Sequence, residues 1–266
     1  MGLTGLHDIA YRLAMRPDQI ALQLYTVRDL ARTDLAGTLR AVAGAGYRAV
    51  ELAGLPETPT PELARMLGEN GLRVVASHEA IEGLRADTDG VAGRLAELGC
   101  PRAIVPWMPE GDRRTADDVR RFAAELNGFA STFAGHGITL GYHNHAFEFS
   151  ALDGATIWDV LLGELAAGIE LELDVYWAAA GGRDPVSEIG AMAGRVRLLH
   201  MKDRAAGPEP HDAPPGEGTL PFPAIVEAGR AAGVEWYIVE QDTPRDPIDD
   251  VARGLRYLTT LAGPAD

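Results

Sequence analysis

The chain has 266 residues, of which 46% are apolar, 24% charged and 6% aromatic, a composition that suits a large globular domain and excludes a disordered or fibrous chain. Thirty-nine acidic against twenty-four basic residues give a formal charge of -15, which repels a phosphate backbone. No window approaches eighteen consecutive apolar residues, so neither nucleic acid nor a membrane is an expected partner.

Short apolar or alternating runs bounded by turn residues predict strands, and apolar residues at three- and four-residue spacing predict helices. In chain order, a predicted strand over Ile20–Tyr25 precedes a helix over Leu35–Ala45, and Ala49–Leu52 precedes Pro61–Asn70. Arg73–Ser77 then leads to Val91–Leu98, Ala103–Pro106 to Thr115–Phe133, and Ile138–Asn144 to Ile157–Leu165. The last three pairs are Gly168–Asp174 with Pro185–Ala193, Val196–Met201 with Pro221–Ala232, and Glu235–Glu240 with Ile248–Leu261. Pro61, Pro185 and Pro221 sit near helix starts, where a missing N–H costs nothing, and Gly46, Gly71, Gly99 and Gly233 sit just past helix ends.

Eight strand and helix units match the size of an α/β fold with a single (β/α)8 TIM barrel, read here as one domain over residues 1–266. An open doubly wound sheet is disfavoured because Tyr25-Thr26-Val27-Arg28-Asp29, and no glycine-rich turn, follows the first strand. The Pro/Gly-rich stretch Ala205–Gly218 has the length of a functional loop. The start MGLTGLHDIAYRLAMRPDQ lacks a basic opening and a continuous apolar core, so no secretory signal is visible and a cytoplasmic protein is expected. The one cysteine, Cys100, permits no intrachain disulfide and is read as a packing residue.

In such a barrel the chemistry sits at the C-terminal ends of the strands, and ionisable residues collect there. His143, Asp174, His200 and Glu240 end four consecutive predicted strands, and together form a mixed nitrogen and oxygen set suited to one divalent metal ion. Manganese is the first choice, with cobalt, iron, zinc or magnesium as alternatives. Four of the seven histidines, His78, His143, His145 and His200, follow strands at this face, whereas His7, His136 and His211 read as helix or loop positions.

Lys202 is the only lysine among the twenty-four basic residues and stands two positions beyond His200. Its ammonium suits donation to a developing enolate or, if desolvated, proton transfer. His145 shares a face with His143 in an extended segment and is either a substrate contact or an orienting partner. Glu148 either binds a sugar hydroxyl or caps a loop, and Trp107, Tyr176 and Trp177 either wall a sugar pocket or pack in the core. The turn Gly216-Glu217-Gly218 lets backbone approach a ligand, which makes Glu217 a further substrate-binding candidate beside His78.

These segments resemble the sugar phosphate isomerase/epimerase family of xylose isomerase-like TIM barrels. The resemblance runs from Gln23-Leu24-Tyr25-Thr26-Val27-Arg28-Asp29 to Val239-Glu240-Gln241-Asp242. It is carried by Gly141-Tyr142-His143-Asn144-His145-Ala146-Phe147-Glu148-Phe149, Leu173-Asp174-Val175-Tyr176-Trp177, Leu199-His200-Met201-Lys202-Asp203, Gly216-Glu217-Gly218 and Trp236-Tyr237-Ile238-Val239-Glu240. It implies metal ligands at His143, Asp174, His200 and Glu240, with Glu240 as candidate base and His145 or Lys202 returning a proton. His143 stands where the ketose 3-epimerases of the family carry a glutamate, which weakens a symmetric two-carboxylate epimerisation. The expected activity is isomerisation or epimerisation of a small carbohydrate through an enediolate. The alternatives are a lyase or dehydratase acting on a keto-sugar or keto-inositol, and a non-catalytic carbohydrate-binding barrel. A homo-oligomer is compatible with the sequence, which fixes no stoichiometry.

Overall fold

The computed structural model describes residues 15–207 and 211–263. His7, the opening segment and part of the 205–218 stretch lie outside the described residues. Eight parallel strands close into a barrel in chain order: β1 (Ile20–Gln23), β2 (Ala49–Leu52), β3 (Arg73–His78), β4 (Arg102–Val105), β5 (Thr139–His143), β6 (Glu170–Asp174), β7 (Val196–Met201) and β8 (Trp236–Val239). Closure is made by β1 against β8, with Ile20 opposite Tyr237 and Leu22 opposite Val239. The architecture is the expected (β/α)8 barrel.

Alternation along the strands explains where the polar residues go. Ala21, Ala49, Val75, Ala76, Ile104, Leu198 and Ile238 form a small apolar cluster inside the barrel, separate from the larger core between strands and helices. Gly141 belongs to this interior, since a Cβ there would stand 2.6 Å from Ile104 Cδ1 and 3.1 Å from the Glu170 carbonyl oxygen. Two residues further along a strand the side chain returns to the same face. Gln23, Glu51, His78, His143, His200 and Glu240 therefore form the next layer, above the apolar floor.

Several boundaries differ from the sequence expectation. β1 stops at Gln23 because Leu24–Val27 turns as a 3₁₀ segment that buries Leu24 and Val27. β5 stops at His143 because Asn144 leaves the ladder and accepts the Asp174 backbone N–H at 2.9 Å. The helix expected over Val91–Leu98 spans Ile81–Glu97, kinked at Asp87, whose carboxylate accepts from Gly90 N to start the second segment. Short helices at Arg28–Thr33 and Val175–Ala180, and small hairpins pairing Ala151–Leu152 with Ala155–Thr156 and Asp203–Arg204 with Asp212–Ala213, are too brief to show a period. Cys100 is buried, and burial pushes its thiol up to about 12, in keeping with a packing role. Among the described residues no helix is long and apolar enough to cross a membrane.

The Gly216-Glu217-Gly218 turn has a structural cause. The buried Asp203 carboxylate accepts four backbone N–H groups, from Arg204 and Leu220 on Oδ1 and from Gly216 and Gly218 on Oδ2. A Cβ at position 218 would lie 2.3 Å from Asp203 Oδ1, so only glycine permits this approach. Asp203→Ala, which leaves four donors without their anion, is expected to lower unfolding stability by about 2 to 3 kcal/mol in a urea titration. Gly218→Ala should act in the same direction; unchanged midpoints in both variants would contradict this role.

Candidate active site

The layer above the apolar floor is a continuous polar network. His200, fully buried on β7, uses both ring nitrogens: Nδ1 lies 2.9 Å from Glu240 Oε2, and Nε2 lies 2.7 Å from Glu51 Oε2 and 3.2 Å from Glu172 Oε2. Glu172 Oε2 is also 2.7 Å from His78 Nε2 and 3.2 Å from His143 Nδ1. Gln23 Nε2 donates to Glu51 Oε2 at 3.0 Å, which ties β1 into the same layer.

Towards the mouth, Lys202 is 1% exposed and its ammonium faces three carboxylates, Glu240 and Asp242 at 2.9 Å and Asp174 at 3.1 Å. Burial opposes its charge, yet Asp174, Glu240 and Asp242 hold the Lys202 pKa well above the usual lysine value. Burial would raise Glu240, but Lys202 and His200 hold it well below the usual carboxylate range. At Asp174 burial wins over Lys202 and lifts the carboxyl to about 6. The other Asp174 oxygen accepts from Trp177 N at 2.9 Å, so this residue also caps the helix Val175–Ala180.

The sequence-predicted residues fall into distinct groups. Asp174, His200 and Glu240 come together as possible ligands, whereas His143 joins His78, Glu172 and His200 in a second donor group. His145 lines the mouth between Trp107 and Trp177, with ring centroids 4.8 and 5.4 Å away, and burial beside His143 and Lys202 lowers its pKa to about 2. Trp107 is 45% exposed at the rim. Trp177 packs with its ring 5.2 Å from Lys202 Nζ. Glu148 is buried, accepting from Tyr142 Oη at 2.6 Å and from His145 N at 2.8 Å, and so faces the protein. Glu217 stands apart from this layer, ion-paired with Arg253 at 2.6 Å beside a separate depression.

Glu172 is the residue that reasoning from strand ends missed. In Glu170-Leu171-Glu172-Leu173-Asp174 it lies two positions before Asp174, so the period of two aims both inward. Glu51 and Gln23 reach the layer by the same alternation.

The cavity over this layer measures about 340 Å³ and is lined by His78, His143, His145, Trp107, Glu240 and Asp242, among others. Five carboxylates line the layer and its mouth: Lys202 meets Asp174, Glu240 and Asp242, and His200 meets Glu51, Glu172 and Glu240. Glu51 Oε1 and Glu172 Oε1 are buried atoms with no hydrogen-bond partner. An excess of buried negative charge with unpartnered donor atoms fits a divalent cation, and His200 is common to both groups that would hold one.

A family model described as xylose isomerase-like TIM barrel matches residues 39–261. A 2-oxo-tetronate isomerase from Pectobacterium atrosepticum is 27% identical over 241 residues, covering 79% of this chain and 87% of that protein. The crystal structure of a sugar phosphate isomerase/epimerase from Parabacteroides distasonis superposes with a TM-score of 0.78 at 27% identity, covering 90% of this chain and 96% of that one. A protein named IOLI, solved with a bound zinc atom, superposes with a TM-score of 0.74 at 14% identity over 91% of this chain and 97% of its own, a likeness of fold. By the extent of the family match, the chain belongs to the xylose isomerase-like TIM-barrel family.

Proposed function

We propose that the protein is a divalent-metal-dependent isomerase or epimerase of a small carbohydrate, working by proton abstraction next to a carbonyl through an enediolate. The observation that carries this reading is that an ionised carboxylate, Glu240, and a neutral imidazole, His145, line one small cavity above a buried layer of negative charge. The relative named 2-oxo-tetronate isomerase supports a short-chain substrate, and the cavity volume suits one.

Glu240 is kept as an anion by Lys202 and His200 and is the base that takes the proton from the substrate carbon. The electron pair of that C–H bond passes to the carbonyl oxygen, forming the enediolate. Lys202, fixed between Asp174, Glu240 and Asp242, supplies positive charge at the mouth of the site. His145 gives a ring proton to the oxygen that gains charge and recovers one from the neighbouring hydroxyl, while Glu240 gives its proton to the neighbouring carbon, which completes the isomerisation and restores the carboxylate. A divalent cation held around His200 supplies, when bound, Lewis acidity that makes the substrate hydrogen more acidic. Trp107 and Trp177 shield the mouth from water.

Glu148 fixes His145 through its backbone N–H, and Tyr142 holds the other carboxylate oxygen. Burial pushes Glu148 up to about 8, so the folded state favours the neutral acid. Its contribution to stability is complete below the unfolded carboxyl value of about 4.3 and is lost as pH rises towards about 8.

The first test is NMR in deuterated water with divalent metal added and a panel of short keto-acids, aldoses, ketoses and inososes. Deuterium at a carbon next to the carbonyl, with an isomer or epimer as product, is expected; no exchange with any of them would overturn the proposal, and an enone product would reassign it to elimination. Glu240→Gln should slow exchange by about 10²- to 10⁴-fold while sugar binding persists. Glu148→Gln should flatten the fall in stability between about pH 5 and about pH 8 seen by urea unfolding. An identical fall in variant and parent would contradict the assignment to Glu148.

A further inference from the structure

We propose that Arg28 and Asp212 are positioning residues for Lys202: they grip the backbone of Asp242 at its carbonyl and its N–H, and the Asp242 carboxylate holds the lysine ammonium at the mouth of the site. The inference rests on the proposed function only in taking Lys202 as the positive charge that the reaction uses.

The chain leaves the barrel ladder after Val239, so the N–H groups that follow need acceptors from elsewhere. Three consecutive ones find them on side chains of two other loops. Gln241 N donates at 2.9 Å to Thr26 Oγ1, beyond β1, while Asp242 N and Thr243 N both donate to Oδ2 of the buried Asp212, beyond β7. Thr243 Oγ1 donates to the other Asp212 oxygen. At the far end of the same residue, Arg28 Nη2 donates to the Asp242 carbonyl oxygen at 2.8 Å. Arg28 Nη1 donates to the Tyr25 carbonyl oxygen at 2.8 Å, and the guanidinium lies 4.0 Å from the Tyr25 ring centroid. Tyr25 and Asp242 both line the cavity, so Arg28 ties two of its walls together across the seam where β1 meets β8. A guanidinium and a carboxylate make hydrogen bonds of the stronger, charge-assisted kind.

An ammonium on a four-carbon stem goes where its acceptors are fixed. Lys202 has three, of which Asp174 and Glu240 also belong to a donor group that could hold a metal, whereas Asp242 does not. A cation on Asp174 and Glu240 competes for their oxygens and repels the ammonium, which leaves Asp242 as the carboxylate that retains it. The Asp242 side chain is 34% exposed, so its place depends on how its backbone is held.

Lys202 is the only lysine, so ¹⁵N-lysine labelling of the full chain gives one side-chain ammonium signal and needs no sugar. In the parent that signal is expected to exchange slowly with water, with or without zinc(II). Exchange should be about tenfold or more faster in Arg28→Met and in Asp212→Ala, and within about threefold of the parent in Asp212→Asn, which keeps an acceptor for Asp242 N. Arg28→Met and Asp212→Ala remove charges of opposite sign, so a common acceleration reports the lost grip and not a changed field. Exchange unchanged in both, or shifted in opposite directions, would overturn the proposal. An ammonium released to water when zinc(II) is added to the parent would overturn it as well. Should Asp212→Ala not fold, as judged by circular dichroism, Arg28→Met carries the test against Arg28→Gln, which can still donate to one of the two carbonyls and should exchange at an intermediate rate. On a sugar that the parent turns over, Arg28→Met should lower kcat about tenfold and change KM less than about threefold; an unchanged kcat would contradict the positioning role. No turnover on any sugar, with the lysine signal behaving as expected, would sink the isomerase reading and leave the placement of Lys202 standing.

Discussion

The site is organised around one imidazole that has no freedom to turn. His200 is buried with Glu240 on one ring nitrogen and Glu51 and Glu172 on the other, so a rotation would take from three buried carboxylates the partner they share. Removing one partner of a buried charge costs more than a typical hydrogen bond returns. The ring thus separates two environments: a nitrogen-rich pocket below and an acidic mouth crossed by the Lys202 ammonium above. Ala21, Ala49, Ala76 and Gly141 keep the floor low beside Ile104, Leu198 and Ile238 and make room for this layer, while most large apolar side chains belong to the core between strands and helices.

Surrounding residues act by holding backbone and rings in place. Asn144 ties the end of β5 to the last residue of β6 through Asp174 N, and Asp174 in turn caps the helix that carries Trp177. Glu148 fixes His145, and Asp203 gathers the 216–220 turn beside β7. Each is a buried acidic or amide side chain whose partners are mostly main-chain N–H groups. Reactive side chains on strand ends, braced in this way, meet the requirement that catalytic geometry be set before substrate arrives.

Much of this was legible in the sequence because a parallel barrel writes its strands as separate apolar runs and its site as polar strand ends. Asp174, His200, Glu240 and the lone lysine stood out on those grounds, and glycines at positions 46, 71, 99 and 233 all adopt positive φ past helix ends. Glu172 escaped because it lies inside its strand, where only the alternation with Asp174 marks it as inward-facing. Glu148 and Glu217 show the opposite difficulty. A glutamate in a motif carries no sign of which way it points, and here one faces Tyr142 while the other faces Arg253. The split of the four expected ligands into two groups is likewise a matter of ring orientation, since Nδ1 and Nε2 of His200 are one letter in a sequence.

The central claim is therefore that the buried layer around His200 holds a divalent cation. Crystals of the cobalt-loaded protein, with diffraction recorded on both sides of the cobalt absorption edge, answer it directly. The account predicts one anomalous peak within about 2.3 Å of a His200 ring nitrogen. The absence of a peak at this layer, or a peak only at the protein surface, would contradict it.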